Sequence, residues 1–154
     1  KMANIAQTVN VLQSVILTEG EKIVLTPTYH VFEMYKVHQD AILLPTDLQC
    51  SDYRYNDEAL PGLSVSASRD EEGRIHVSLC NLDPNNPAEL VCEIRGADYE
   101  QVSGRVLTAA AMNAHNTFEN PDAIRPSVFE AVEVKGDELI ATLPAMSVVV
   151  LELE

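Results

Sequence analysis

The chain has 154 residues, 46% of them hydrophobic, with 10 Lys or Arg against 24 Asp or Glu and a formal net charge of −14 at pH 7. Length and apolar content suit one ordinary globular domain plus part of a neighbour and argue against disorder. The acidic surplus excludes nucleic acid, whose phosphates need clustered Lys and Arg, and disfavours an anionic membrane surface; no apolar run reaches the ~18 residues of a membrane helix.

Lys1–Gln7 lacks an apolar stretch and a small-residue cleavage site, so it does not read as a signal peptide; any targeting sequence would lie upstream. Ile5, Val9, Leu12 and Ile16 recur at i, i+4, i+7 and i+11, which predicts a helix with one apolar stripe. Asn4, Gln7 and Asn10 would line a polar edge of it. Thr18–Lys22 has the composition of a turn, and Ile23–Thr26 is a short extended run. Pro27 is suited to open a second helix with Thr26 as its cap and Val31, Phe32, Met34 and Tyr35 as its apolar face; His38–Asp40 ends it.

From Ala41 onward the period changes to two. Segments near 41–50, 63–69, 74–82, 88–95, 101–110, 128–134, 138–143 and 146–153 are rich in Val, Leu and Ile and are separated by Gly-, Pro- and Asn/Asp-rich stretches. Lys135–Asp137 predicts a hairpin turn and Asp83–Pro87 a tight connection. The continuous apolar run after Ser147 suits a central strand covered on both faces, or one that turns a corner. The fold expected is mainly β: an antiparallel, jelly-roll-like sandwich over residues 41–154, preceded by a short α/β stub over 1–40. Two amphipathic helices without a partner sheet would expose their stripes, which marks the stub as part of a larger domain.

Candidate chemistry is sparse. Asp70–Glu72 lies at a turn between strands, where charges are ordinarily solvated. His30, His38, His76 and His115 never reach metal-ligand spacing and read as packing or hydrogen-bonding residues; no nucleotide or metal fingerprint occurs, and no cofactor is expected. Cys50, Cys80 and Cys92, an odd set without CxxC spacing, read as free, buried thiols. With no Trp, five Tyr and three Phe, a stacking platform for sugars is not expected. Two polar segments stand out: the amide-bearing first helix, able to bind hydroxyls without charge, and Asn113–Asp122, whose side chains can satisfy their own backbone.

These two segments, Asn4-Ile-Ala-Gln-Thr-Val-Asn-Val-Leu-Gln13 and Asn113-Ala-His-Asn-Thr-Phe-Glu-Asn-Pro121, with Leu25-Thr-Pro-Thr-Tyr-His-Val-Phe-Glu-Met-Tyr-Lys-Val-His-Gln39 between them, resemble the C-terminal part of α-L-arabinofuranosidases of glycoside hydrolase family 51. The resemblance runs in order along essentially the whole chain. It implies a (β/α)8 barrel whose last segment is residues 1–40, joined to a sandwich at 41–154, and removal of arabinofuranosyl groups from arabinan and arabinoxylan with retention. Two glutamates about 5 Å apart would do that chemistry, and neither of their motifs matches residues 1–154, so the chain alone is expected to be inactive. Gln7 stands where the family's Ala-Gln-x-Val-Asn stretch offers a glutamine to sugar hydroxyls, which makes it the one substrate-binding candidate, with Asn10 as a buttress. Family members also complete the sandwich with residues near their beginning, which would leave an edge uncovered here and favour a homo-oligomer. The alternative reading is a non-catalytic carbohydrate-binding or structural sandwich module.

Overall fold

The alternation beyond Ala41 resolves into two facing antiparallel sheets in the computed structural model, which describes residues 5, 8–11, 14–97, 99–136 and 138–154. In chain order the strands are β1 (Ile16–Glu19), β2 (Lys22–Leu25), β3 (Ile42–Leu44), β4 (Asp52–Tyr55), β5 (Glu58–Pro61), β6 (Leu63–Arg69), β7 (Ile75–Asn81), β8 (Ala88–Glu93), β9 (Val102–Leu107), β10 (Ser127–Val128), β11 (Val132–Lys135), β12 (Glu138–Leu143) and β13 (Ser147–Leu153). One helix, α1 (Pro27–Tyr35), follows β2 and tightens into a 3-10 turn at Lys36–His38.

The larger sheet has the order β10-β9-β13-β7-β6-β3 and the smaller one β11-β12-β8; β1-β2 and β4-β5 are separate hairpins. Period-two patterning sends Leu63 and Ala67, Ile75, Val77 and Leu79, and Val149, Leu151 and Leu153 to one face of the large sheet, where they meet Leu139, Ala141 and Leu143 of β12 in a single core. The opposite face of β13 is also covered: Val150, with Leu107 of β9, packs under Met34 of α1. That double burial is why Ser147–Leu153 reads as a continuous apolar run. β13 sits between β9 and β7, in register from Val148↔Leu107 on one side and Ser147↔Asn81 on the other.

α1 begins where expected. Thr26 is extended (φ −78, ψ 164), its hydroxyl accepts from the Tyr29 N–H at 3.4 Å, and Pro27 occupies the first turn. Nine residues are too few to hold a helix by themselves. Docking supplies the rest: Met34 is 1% exposed, and burying such a side chain is worth about 1.5–3 kcal/mol. Glu33 also accepts a two-pronged ion pair from Arg105 of β9, at 3.2 and 2.9 Å.

Three expectations are corrected. The helix over residues 5–16 does not form in its described part: residues 8–11 are irregular, Asn10 has φ +54, Val9 bridges Ile16, and Ile16 opens β1. The β-branched Val9, Val11, Val15 and Ile16 favour extended backbone, and pairing with β2 overrides the 3.6-residue stripe. The stub therefore carries a hairpin and one helix among its described residues, rather than two helices. The run 128–134 is two strands in different sheets, because buried Phe129 hydrogen-bonds Gly104 and turns the chain from β9's edge toward β12. Segment 41–50 pairs only at Ile42–Leu44, and the β4-β5 hairpin was not anticipated, since its exposed Asp, Arg and Glu residues hide the strand pattern.

Candidate functional site

Gln7, the substrate-binding candidate, lies outside the described residues, as do Asn4 and Leu12. The backbone beside it is held by a compact set of hydrogen bonds. The Val15 and Ile16 N–H groups both donate to the Thr8 carbonyl, at 3.1 and 3.0 Å. Asn10 clamps β1, its Nδ2 donating to Thr18 Oγ1 at 2.8 Å and its Oδ1 accepting from the Thr18 N–H at 2.7 Å. Thr26 ties the helix start to the same place: its N–H donates to the Val15 carbonyl at 3.1 Å and its hydroxyl to that of Ser14 at 2.9 Å. Asn10 is thus a buttress, of a loop and strand rather than of a helix.

The second polar segment reaches the same corner. Asn116, 3% exposed, donates from Nδ2 to the carbonyls of Leu25 (2.7 Å) and Ile124 (2.9 Å), and its Oδ1 accepts from the Ile124 N–H at 2.7 Å. Thr117 caps the turn inside this loop by accepting from the Asn120 N–H. Self-satisfaction of the loop was legible in its Asn and Thr content; the bond to Leu25 was not, because it joins residues 91 apart in sequence.

Beneath α1, the outer face of β6 and β7 carries a polar seam. His38 bonds Ser68 Oγ through Nδ1 at 2.6 Å and Ser78 Oγ through Nε2 at 2.5 Å, while Tyr35 meets Cys80 Sγ at 3.2 Å. Burial, then the neighbouring His76, lowers the His38 pKa; burial, then the Cys80 contact, raises that of Tyr35. His76, 2% exposed, donates from Nε2 to Asp70 Oδ2 at 3.0 Å, and Arg74 Nε donates to the same oxygen at 2.8 Å. These histidines do the packing and hydrogen-bonding work expected of them.

Four carboxylates, Glu33, Asp70, Asp83 and Glu93, are held toward the ionised form. Partial burial would raise Asp70, but hydrogen bonds from His76 and Arg74 outweigh it and hold the group down at about 2. Glu33 is lowered by Arg105, Asp83 by the Asn86 amide and Glu93 by Arg95. A glycosidase general acid needs the opposite shift. A groove of about 570 Å3 runs beside β8 between Gln49–Tyr53 and Asn81–Val91. At its Asn81 end the polar groups serve the local turn: Asn81 donates to the Asn86 and Pro144 carbonyls, and Asp83 accepts from the backbone of Asn85 and Asn86. Among the described residues no group of three or more His, Cys, Asp or Glu could hold a metal ion, and no helix is long and apolar enough to cross a membrane. The three cysteines are free; Cys80 and Cys92 are half-buried, whereas Cys50 is exposed, against expectation.

Comparison with known proteins accords with a mainly β C-terminal domain. The family described as "Alpha-L-arabinofuranosidase C-terminal domain" matches residues 1–147. An intracellular exo-α-L-arabinofuranosidase of Bacteroides ovatus is 44% identical over 155 residues, covering 100% of this chain, and the chain spans only 30% of that protein. The crystal structure of a family 51 arabinofuranosidase from Xanthomonas axonopodis pv. citri superposes with a TM-score of 0.96 at 44% identity, over 99% of this chain and 31% of the other. A thermostable family 51 α-L-arabinofuranosidase from Thermotoga petrophila RKU-1 follows at 0.81 and 27%, over 97% and 33%. The chain belongs to the α-L-arabinofuranosidase C-terminal domain family.

Proposed function

We propose that this chain serves as the C-terminal sandwich of a retaining family 51 α-L-arabinofuranosidase that removes terminal arabinofuranosyl groups from arabinan or arabinoxylan. In this reading residues 1–40 close a (β/α)8 barrel, residues 41–154 prop it, and the two catalytic glutamates belong to the barrel. The match over residues 1–147 to a family defined as the C-terminal domain of such enzymes carries the reading. It is supported by the exposed Val9, Ile23 and Phe32 of the stub, apolar side chains of the kind a neighbouring domain covers, and by the downward shift of Glu33, Asp70, Asp83 and Glu93. Gln7 contributes a hydrogen bond to a substrate hydroxyl; the resemblance of its segment to the family's barrel end supports that role.

A chromogenic aryl α-L-arabinofuranoside tests the central claim. The purified 154-residue chain should give no turnover above buffer, and measurable turnover would show that the catalytic pair lies within it. Strong retardation in arabinan-containing gels would instead favour a stand-alone binding module. Self-association is supported by Ile42 and Leu43, 70% and 75% exposed on the edge strand β3, and by Val128 on the opposite edge, β10. Light scattering coupled to gel filtration should find more than one copy per particle; a clean monomer would rule this out.

A further inference from the structure

The β4-β5 hairpin is a ribbon apart from both sheets: its strands pair only with each other, from Asp52↔Pro61 to Tyr55↔Glu58. Cross-strand partners and alternate residues share a face, so Tyr53, Tyr55 and Leu60 lie on one side and Asp52 and Arg54 on the other. Of the ribbon's strand residues only Tyr53 is half-buried, whereas Tyr55 is 68% and Leu60 43% exposed. The tyrosine side is therefore the one turned toward the domain, and Tyr53 stands on the rim of the groove of about 570 Å3 beside β8. A scarcity of aromatics argues against a stacking platform spread over the domain. The fold nevertheless sets two of the five tyrosines on one ribbon face, about 7 Å apart along the strand.

We propose that the ribbon and the groove together form a binding site for a neutral oligosaccharide, with Tyr53 and Tyr55 lying against its sugar rings. Gln49, Ser51 and Glu89 line the groove, and their side chains make no hydrogen bond or ion pair with the described residues. An amide, a hydroxyl and a carboxylate are thus free to meet ligand hydroxyls at the ribbon end, while the Asn81 end is spent on its turn. Asp52, Asp83 and Glu89 line the groove and no Lys or Arg does, so phosphate and carboxylate ligands are repelled, whereas sugar hydroxyls can donate to carboxylates. The volume lies within the roughly 300–1,000 Å3 of small-ligand sites. An arabinose polymer as the natural ligand rests on the reading of the parent enzyme; the preference for a neutral sugar rests on the groove and ribbon.

The test is an NMR titration of the isotope-labelled 154-residue chain with a linear arabino-oligosaccharide, with thermal midpoints of each variant measured alongside. Backbone amide shifts should concentrate on Gln49–Tyr55 and Ala88–Val91, with a Kd on the order of 1 mM. A site of that strength is too weak to retard the chain strongly in a gel. Tyr55→Ala, at an exposed position that folding does not need, should weaken binding about tenfold, and Tyr55→Phe should keep it, because the ring makes the contact. Arg54→Ala, on the opposite face of the same ribbon, should bind as the parent does. Added NaCl should leave the affinity unchanged, since the ligand carries no charge. No shifts at about ten times that Kd, shifts centred elsewhere, binding that salt abolishes, or an equal loss on Arg54→Ala would each overturn the proposal. Turnover of the chromogenic arabinofuranoside by the chain would overturn the reading of the parent enzyme and leave the outcome at the groove standing.

Discussion

Gly104→Ala offers a quantitative test of how closely β9 packs. A Cβ at this position would stand 2.8 Å from Leu151 Cδ2 and 3.1 and 3.2 Å from Cβ and Cδ1 of Phe129. Neither neighbour has room to retreat: Leu151 is fully buried on the central strand, and Phe129 is 4% exposed at the corner between the sheets. Forcing a methyl into such a core costs about 1–3 kcal/mol. Against this, replacing Gly within a strand returns about 0.5–1 kcal/mol of backbone entropy. The net expectation is destabilisation by about 1–2 kcal/mol, hence a drop in Tm of roughly 2–8 °C for a chain of this size. Thermal unfolding followed by circular dichroism measures it. In combination with Leu151→Val, which removes the nearest offending methyl, the loss should fall short of the sum of the single losses by at least ~0.5 kcal/mol. A Tm equal to or above that of the parent, or strict additivity in the pair, would show that the core yields and the reasoning fails.

Two further expectations concern the seam under α1. Met34→Ala should cost about 2–5 kcal/mol in urea unfolding, since Met34 is 1% exposed and fills the space over Leu107 and Val150; a loss below ~1 kcal/mol would mean α1 is not docked by this contact. Because burial lowers the His38 pKa, the fold favours the neutral imidazole. That contribution is complete above the ordinary value of 6.5 and is lost as pH falls below it. The urea midpoint should therefore fall between about pH 7.5 and 5.5, and His38→Gln, which can still bond Ser68 and Ser78, should flatten the fall; an unchanged slope would refute it.

Much of this architecture was legible before any coordinates. Alternation at Leu63–Ala67 and Ile75–Leu79 predicts strands, and they form with that parity toward the core, although β7 is buried on both faces. Thr26-Pro27 predicts a helix start, and the cap is there. The turn at Lys135–Gly136 joins a hairpin whose strands pair from Lys135↔Glu138. Such signals are local: a period, a cap or a turn is written within a few residues and needs no partner to be read. The errors arise where a partner decides. Ile5, Val9 and Ile16 satisfy a helical stripe, yet the pairing of β1 with β2 makes Ile16–Glu19 a strand.

The candidate site divides in the same way. Resemblance singled out Gln7, polar composition the Asn113–Asp122 segment, and periodicity located the strands of the sandwich around that segment. The sequence by itself therefore determined the family, the β character after Ala41 and the start of α1, because each is encoded in short strings or in spacing. Only the tertiary structure decided that β10 and β11 part into different sheets at Phe129, that His38 lies between Ser68 and Ser78, and that Asn116 reaches Leu25. These contacts join residues 30 to 91 apart, and their geometry exists only once both sheets and the helix have closed around them.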